Sequence, residues 1–273
     1  MQLTLLSDAR LYYEIRGDGE PVVFISGLGA TCRAWDSVVP HLGPGFCCIT
    51  FDNRGVGKST AERPAQSLEH YAADLVGLLD HLQLESVCVV GVSFGGMVAQ
   101  CFAMQHASRV RRLALISTTH RVTPYLRESG QLIGHAVRVM PRRQFERLFA
   151  TFGQGPRAVG IDAALSEAAS RPTVPCREIV RQLRCAMSAT PDPDAYRITA
   201  PTLVIAGEHD MLIPSCNTRD MADTIPDSRF VLVRDCGHDL ISTCPPQFVT
   251  ALKTFLKTGD VVASTSDRTM PAA

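Results

Sequence analysis

The chain has 273 residues, 45% of them hydrophobic and 20% charged, with 27 Lys+Arg against 27 Asp+Glu. Balanced charge supplies no field to gather a polyanion, so nucleic acid is excluded as an expected partner, and no run of about 18 apolar residues is present to cross a bilayer. Between Met1 and Arg16 no basic stretch leads into an apolar run, so a cytoplasmic protein is expected, and the length fits one α/β core carrying an insertion.

Short apolar runs at 22–25, 47–51, 87–90 and 113–116 alternate with longer amphipathic segments, which predicts βαβ units and a parallel sheet. The first clear helix carries Leu68, Tyr71, Ala72, Leu75, Leu78, Leu79 and Leu82 at spacings of three and four, with Ser67 as its starting cap and Glu69 behind it. From 119 to 197 arginine becomes frequent, strand-like runs vanish, and prolines interrupt helical stretches at 144–152 and 177–187. Strand patterns resume at 202–206 and 230–233, and 247–256 reads as a closing helix. The expected organisation is a core from 1–118 and 198–257, a helical cap insertion at 119–197, and a flexible tail at 258–273. Ten cysteines offer no CxxC or CxxxC pair, so they are read as buried small apolar side chains and surface thiols with no metal site.

The chemistry centres on Gly91-Val92-Ser93-Phe94-Gly95, a G-x-S-x-G pentapeptide between a predicted strand and a predicted helix, where a sharp turn projects the serine. A serine hydroxyl is a poor nucleophile near neutral pH. It needs an imidazole to take its proton and a carboxylate to hold that imidazole in the right tautomer. Of eight histidines, His238 follows the last predicted strand beside Gly237, whereas His70, His81 and His106 fall on predicted helices. Asp210 sits in the loop after the 202–206 strand, and the order Ser93, Asp210, His238 is that expected of such a site. Glu208, Asp235 and Asp239 are rival acids, with Glu208 the second choice. Gly57-Lys58-Ser59 resembles the end of a phosphate-binding loop, but the first glycine that motif requires falls on Asp52 and no helix follows directly. Asp52 and Arg54 are instead expected to tie down a structural turn.

With Ser26-Gly27-Leu28-Gly29, Asp52 to Ser59, Gly91 to Gly96, Pro201 to Asp210 and Gly237-His238 in place, the chain resembles the α/β-hydrolase superfamily from about residue 10 to 257. It is most similar to the branch of 3-oxoadipate enol-lactonases, small bacterial esterases and cofactor-free perhydrolases. The resemblance implies a mostly parallel sheet flanked by helices, and an oxyanion hole made by the backbone N–H groups of Leu28 and Phe94. Family members often carry histidine where this chain has Ser26, and that histidine helps set the oxyanion loop, so the departure bears on the Leu28 donor.

The expected activity is hydrolysis of a small-molecule carboxylic ester or lactone through an acyl group on Ser93, with no metal or organic cofactor. A serine at the elbow argues against the relatives that use an aspartate nucleophile there. Thioester hydrolysis or cyclisation in natural-product pathways and C–C bond hydrolysis would use the same three residues, and a slow or non-catalytic small-molecule receptor is the reading of another class. Candidate pocket residues are Tyr125, Met140, Phe145 and Phe149 from the insertion, which could equally form the insertion's own core. Trp35 is a further candidate, with core packing as its competing reading. Six arginines between 121 and 147 could bind a substrate carboxylate or simply face solvent. Whether the protein is a monomer or a homodimer is left open by the sequence.

Overall fold

The computed structural model describes residues 2–154, 174–188, 197–243 and 245–260. Nine strands form one sheet: β1 Gln2–Leu5, β2 Ala9–Arg16, β3 Gly19–Ile25, β4 Gly45–Phe51, β5 Thr60–Ala61, β6 Val87–Val92, β7 Val110–Ile116, β8 Thr202–Gly207 and β9 Ser228–Val233. Their order is β1-β2-β4-β3-β6-β7-β8-β9, with β5 on β2. From β4 to β9 every pairing is parallel, while β1, β4 and β5 meet β2 antiparallel. The strand expectations fall within β3, β4, β6, β7, β8 and β9. The fully buried β6 and β8 show why: a parallel strand covered on both faces reads as a continuous apolar run. The N-terminal antiparallel strands carry no such signal, because β2 mixes Arg10, Glu14 and Arg16 with its buried residues.

Nine helices accompany the sheet among the described residues, alongside short 3-10 turns: α1 Val39–Leu42, α2 Leu68–His81, α3 Phe94–Gln105, α4 Pro124–Val139, α5 Arg142–Gln154, α6 Cys176–Ser188, α7 Ser215–Thr224, α8 Leu240–Thr243 and α9 Pro246–Thr258. On one face of the sheet α2 and α3 bury Tyr71, Leu75, Phe94 and Phe102. On the other, α9 and the turn at Cys32–Trp35 bury Phe248, Phe255 and Trp35. Each such aromatic removes enough surface from water to contribute about 1.5–3 kcal/mol. Ser67 does stand at the start of α2, yet its hydroxyl makes no capping bond, so packing of the buried face holds that helix.

The loop from Asp52 to Ser59 is tied down by hydrogen bonds and an ion pair. The Asp52 carboxylate accepts from the N–H groups of Cys32 (2.7 Å) and Lys58 (2.9 Å). Gly57, at φ +56, leaves room where a Cβ would lie 2.2 Å from that carboxylate. Arg54 donates to both oxygens of Asp74 at 2.6 and 2.5 Å, and both side chains are buried. The neighbouring Asp74 carboxylate raises the Arg54 pKa above its ordinary value, and removing one member of such a pair costs about 3–5 kcal/mol. Ser59 leads into β5 rather than a helix, and its hydroxyl donates to the Asp52 carbonyl at 2.7 Å.

Between β7 and β8 the described chain contains α4, α5 and α6 and no strand. The helical stretches expected at 144–152 and 177–187 lie within α5 and α6. Part of the expected cap, residues 155–173 and 189–196, and most of the expected tail, residues 261–273, lie outside the described residues. Among the described residues no helix is long and apolar enough to cross a membrane.

Candidate active site

Ser93 joins β6 to α3 in a conformation that side chains rarely adopt, with φ 54 and ψ −120. Such backbone costs on the order of 1–3 kcal/mol and persists only where its surroundings over-determine it. Here the Ser93 N–H donates to the Ile116 carbonyl at 2.9 Å. The Ser93 carbonyl accepts from the Thr118 hydroxyl at 2.7 Å and from the Gly96 N–H at 2.9 Å. The flanking glycines are steric necessities: a Cβ on Gly91 would lie 2.5 Å from the Gly95 carbonyl oxygen, and one on Gly95 would lie 2.2 Å from that of Ile25. The G-x-S-x-G spacing is thus the sequence mark of a turn packed against the end of β3.

His238 and Asp210 arrive from loops at the carboxyl ends of β9 and β8. His238 Nε2 lies 3.0 Å from Ser93 Oγ, and its Nδ1 lies 2.8 Å from Asp210 Oδ2. The Asp210 side chain has no solvent exposure, and its Oδ1 accepts from the N–H groups of Leu212 (2.9 Å) and Ile213 (2.8 Å). Burial pushes the His238 pKa down, but the Asp210 carboxylate outweighs it and leaves the ring above its ordinary value. The rival acids point elsewhere: Glu208 accepts from the Asp235 N–H (3.1 Å), Asp239 from the Ser242 N–H (3.2 Å), and Asp235 lies 3.9 Å from His209. The arrangement can carry a proton from the Ser93 hydroxyl to the ring while the carboxylate stabilises the resulting imidazolium.

Gly27, Leu28 and Ser93 line the same cavity, and Phe94 opens α3 directly after the serine. Gly27 comes so close that its Cβ would lie 3.4 Å from Ser93 Cβ. Residues 27–30 form a tight turn closed by the Ala30 N–H on the Gly27 carbonyl (3.2 Å), with Gly29 at φ +63. Ser26 anchors the base of this turn. Its hydroxyl donates to the Thr31 carbonyl and accepts from the Trp35 indole N–H, each at 3.1 Å, and Asn53 donates to its carbonyl at 3.3 Å. A serine–tryptophan pair therefore stands where a single histidine is common in the resembling family.

The cavity in front of Ser93 measures about 300 Å³, near the lower end for small-molecule sites. Of the five candidate pocket residues, Met140, Phe145 and Phe149 line it. Two do not. Trp35 is wholly buried with its ring 5.0 Å from that of Phe24; its indole N–H is spent on Ser26 at the base of the 27–30 turn. Tyr125 is 51% exposed and its hydroxyl donates to the Met211 carbonyl at 2.7 Å, which holds it at the outside of α4. Residues that sequence reasoning did not single out, Ile179 and Ile241, complete much of the apolar wall. Of the six arginines considered, Arg142 alone reaches it, and its Nε donates to Glu146 at 2.6 Å. The recurrence of Arg142, Phe145, Glu146, Phe149 and Gly153 at helical spacing was the available signal for this wall of α5.

Residues 20–172, more than half of the chain, match the family described as alpha/beta hydrolase fold. The chain belongs to the α/β-hydrolase family. Residues 164–267 of this α/β hydrolase also match a family described as TAP-like protein. It is 30% identical over 239 residues to the Mycobacterium tuberculosis protein named "Putative non-heme bromoperoxidase BpoC", covering 84% of this chain and 90% of that relative. Among solved structures, a thermophilic esterase from Thermogutta terrifontis is similar at 26% identity and a TM-score of 0.80, covering 95% of this chain and 99% of that one. The enol-lactonase of Burkholderia xenovorans shares the fold at 23% identity and a TM-score of 0.83, covering 94% of this chain and all of that one. The resemblance drawn from the sequence motifs thus reaches the same family and includes an esterase and an enol-lactonase among the structural neighbours.

Proposed function

We propose that this α/β hydrolase cleaves a small carboxylic ester or lactone through an acyl-enzyme on Ser93. The observation that carries the reading is the continuous chain from Ser93 Oγ to His238 Nε2 (3.0 Å) and from His238 Nδ1 to Asp210 Oδ2 (2.8 Å), opening on an apolar cavity. His238 takes the hydroxyl proton as Ser93 attacks the carbonyl carbon, then returns it to the departing alkoxide. Water deprotonated by the same ring attacks the acyl-enzyme and frees Ser93. The N–H groups of Leu28 and Phe94 hold the oxyanion, each worth about 3 kcal/mol of barrier when well placed. The segment 119–197 serves as a cap that shapes the acyl and alcohol sites.

The test is fluorophosphonate labelling of the native protein beside Ser93→Ala and His238→Ala, followed by turnover of short p-nitrophenyl esters. Labelling and hydrolysis should appear in the native protein and vanish in both variants. A folded native protein that neither labels nor turns over these esters would overturn the reading in favour of a receptor role.

A further inference from the structure

Helix α6 buries an unusual stripe. Glu178, Gln182, Cys185 and Ala186 recur at helical spacing and are all less than a tenth exposed, so two of the five buried residues of the helix, Val180 being the fifth, carry charged or amide side chains. Glu178 is accounted for by Arg181, whose guanidinium nitrogen reaches both carboxylate oxygens at 2.7 and 2.6 Å. Gln182 has no such neighbour. It has no exposure at all, its Oε1 accepts from the Gly29 N–H at 2.8 Å, and its Nε2 is buried without a partner among the described residues. Leaving an amide nitrogen unsatisfied in the interior opposes folding. A methionine or leucine at the same place would avoid that cost, so the residue is explained by the bond to Gly29 rather than by packing.

Gly29 follows Leu28 in the turn that faces Ser93. The chain bends there with Gly29 at φ +63, and a Cβ at this position would lie 2.9 Å from Ile179 Cγ1, one turn back along α6. The helix therefore meets the turn twice, through Ile179 by shape and through Gln182 by hydrogen bond. The Leu28–Gly29 peptide plane, whose N–H Gln182 holds, shares the Leu28 Cα with the Gly27–Leu28 plane, whose N–H is the oxyanion donor of the proposed mechanism. Fixing one plane restricts rotation of the other.

We propose that Gln182 is a positioning residue for the oxyanion hole: from the helix above the site it locks the 27–30 turn so that the Leu28 N–H faces the developing oxyanion. This rests on the reading of Ser93 as the nucleophile. It also makes the placement of α6 a determinant of turnover, although α6 contributes no group to the proton path.

The experiment compares Gln182→Met, which keeps volume and removes the acceptor, with Gln182→Glu, which keeps an oxygen for Gly29 in either protonation state. Three readings are taken: kcat and KM on a short ester, the thermal midpoint, and amide hydrogen exchange of the segment 26–31. Gln182→Met should lower kcat about tenfold with KM within about twofold, speed exchange at 26–31, and leave the midpoint unchanged or higher. Gln182→Glu should stay within about threefold of native kcat. Unchanged exchange, or unchanged kcat despite faster exchange, overturns the proposal, as does a kcat loss that tracks a fall in midpoint. Exchange reports on the turn even if the native protein fails to label at Ser93, so failure of the proposed function is told apart from failure of this inference.

Discussion

Asp210→Asn separates the two oxygens of one buried side chain. Oδ1 accepts two backbone N–H groups, from Leu212 at 2.9 Å and Ile213 at 2.8 Å, while Oδ2 faces His238 Nδ1 at 2.8 Å. An asparagine has a single acceptor oxygen, and the two backbone donors claim it. Its NH2 group is then aimed at Nδ1, which must accept, so the ring proton moves to Nε2. That nitrogen faces Ser93 Oγ at 3.0 Å as a donor and cannot take the serine proton. A tautomer error of this kind costs about 10⁴ in kcat in the well-studied serine triad, or about 5.4 kcal/mol at 1.36 kcal/mol per tenfold. The pH profile should move as well. The base works only when neutral, so activity in the native protein rises as pH climbs through the His238 pKa, which Asp210 holds above its ordinary value. Without the carboxylate, burial prevails, and the acid limb of the residual activity shifts to lower pH. The assay is kcat/KM on p-nitrophenyl esters from about pH 5 to 9, with circular dichroism to check folding and Glu208→Gln and Asp239→Asn as controls expected within about threefold of native. More than a tenth of native activity in folded Asp210→Asn, or an equal loss in Glu208→Gln, would refute the reasoning.

Two further outcomes follow from the cavity wall and the elbow. Arg142 is 43% exposed at its side chain and paired with Glu146, so the native protein should prefer neutral esters to carboxylate-bearing ones. Glu146→Gln removes the carboxylate that neutralises the guanidinium and should raise the ratio of kcat/KM for an anionic over a matched neutral ester about fivefold, from roughly 1 kcal/mol of water-screened attraction; an unchanged ratio sinks the idea. Gly95→Ala places a Cβ 2.2 Å from the Ile25 carbonyl oxygen and 2.7 Å from that of Ser26, so the end of β3 and the base of the 27–30 turn must move together. Denaturant unfolding should show a loss of about 2–4 kcal/mol, and a variant of native stability would mean that the elbow is less tightly packed than these distances imply.

The sequence by itself determined the parallel half of the sheet, because strands buried on both faces leave continuous apolar runs such as those at 87–90 and 202–206. It also located the elbow, since only glycine tolerates the contacts at 91 and 95, and it placed Asp210 and His238 in loops after strands. The antiparallel strands β1 and β2 were not legible, because a mixed polar and apolar pattern at the edge of a sheet resembles a loop. Only the tertiary structure decided which of four acids faces the His238 ring, which of six arginines reaches the cavity, that Trp35 supports the 27–30 turn through Ser26, and that Gln182 on α6 reaches Gly29. Periodicity records whether a residue is buried, since burial follows from spacing along one element. What a buried group faces depends on strand order and on how segments 28 to 153 residues apart are brought together, and no local pattern encodes that.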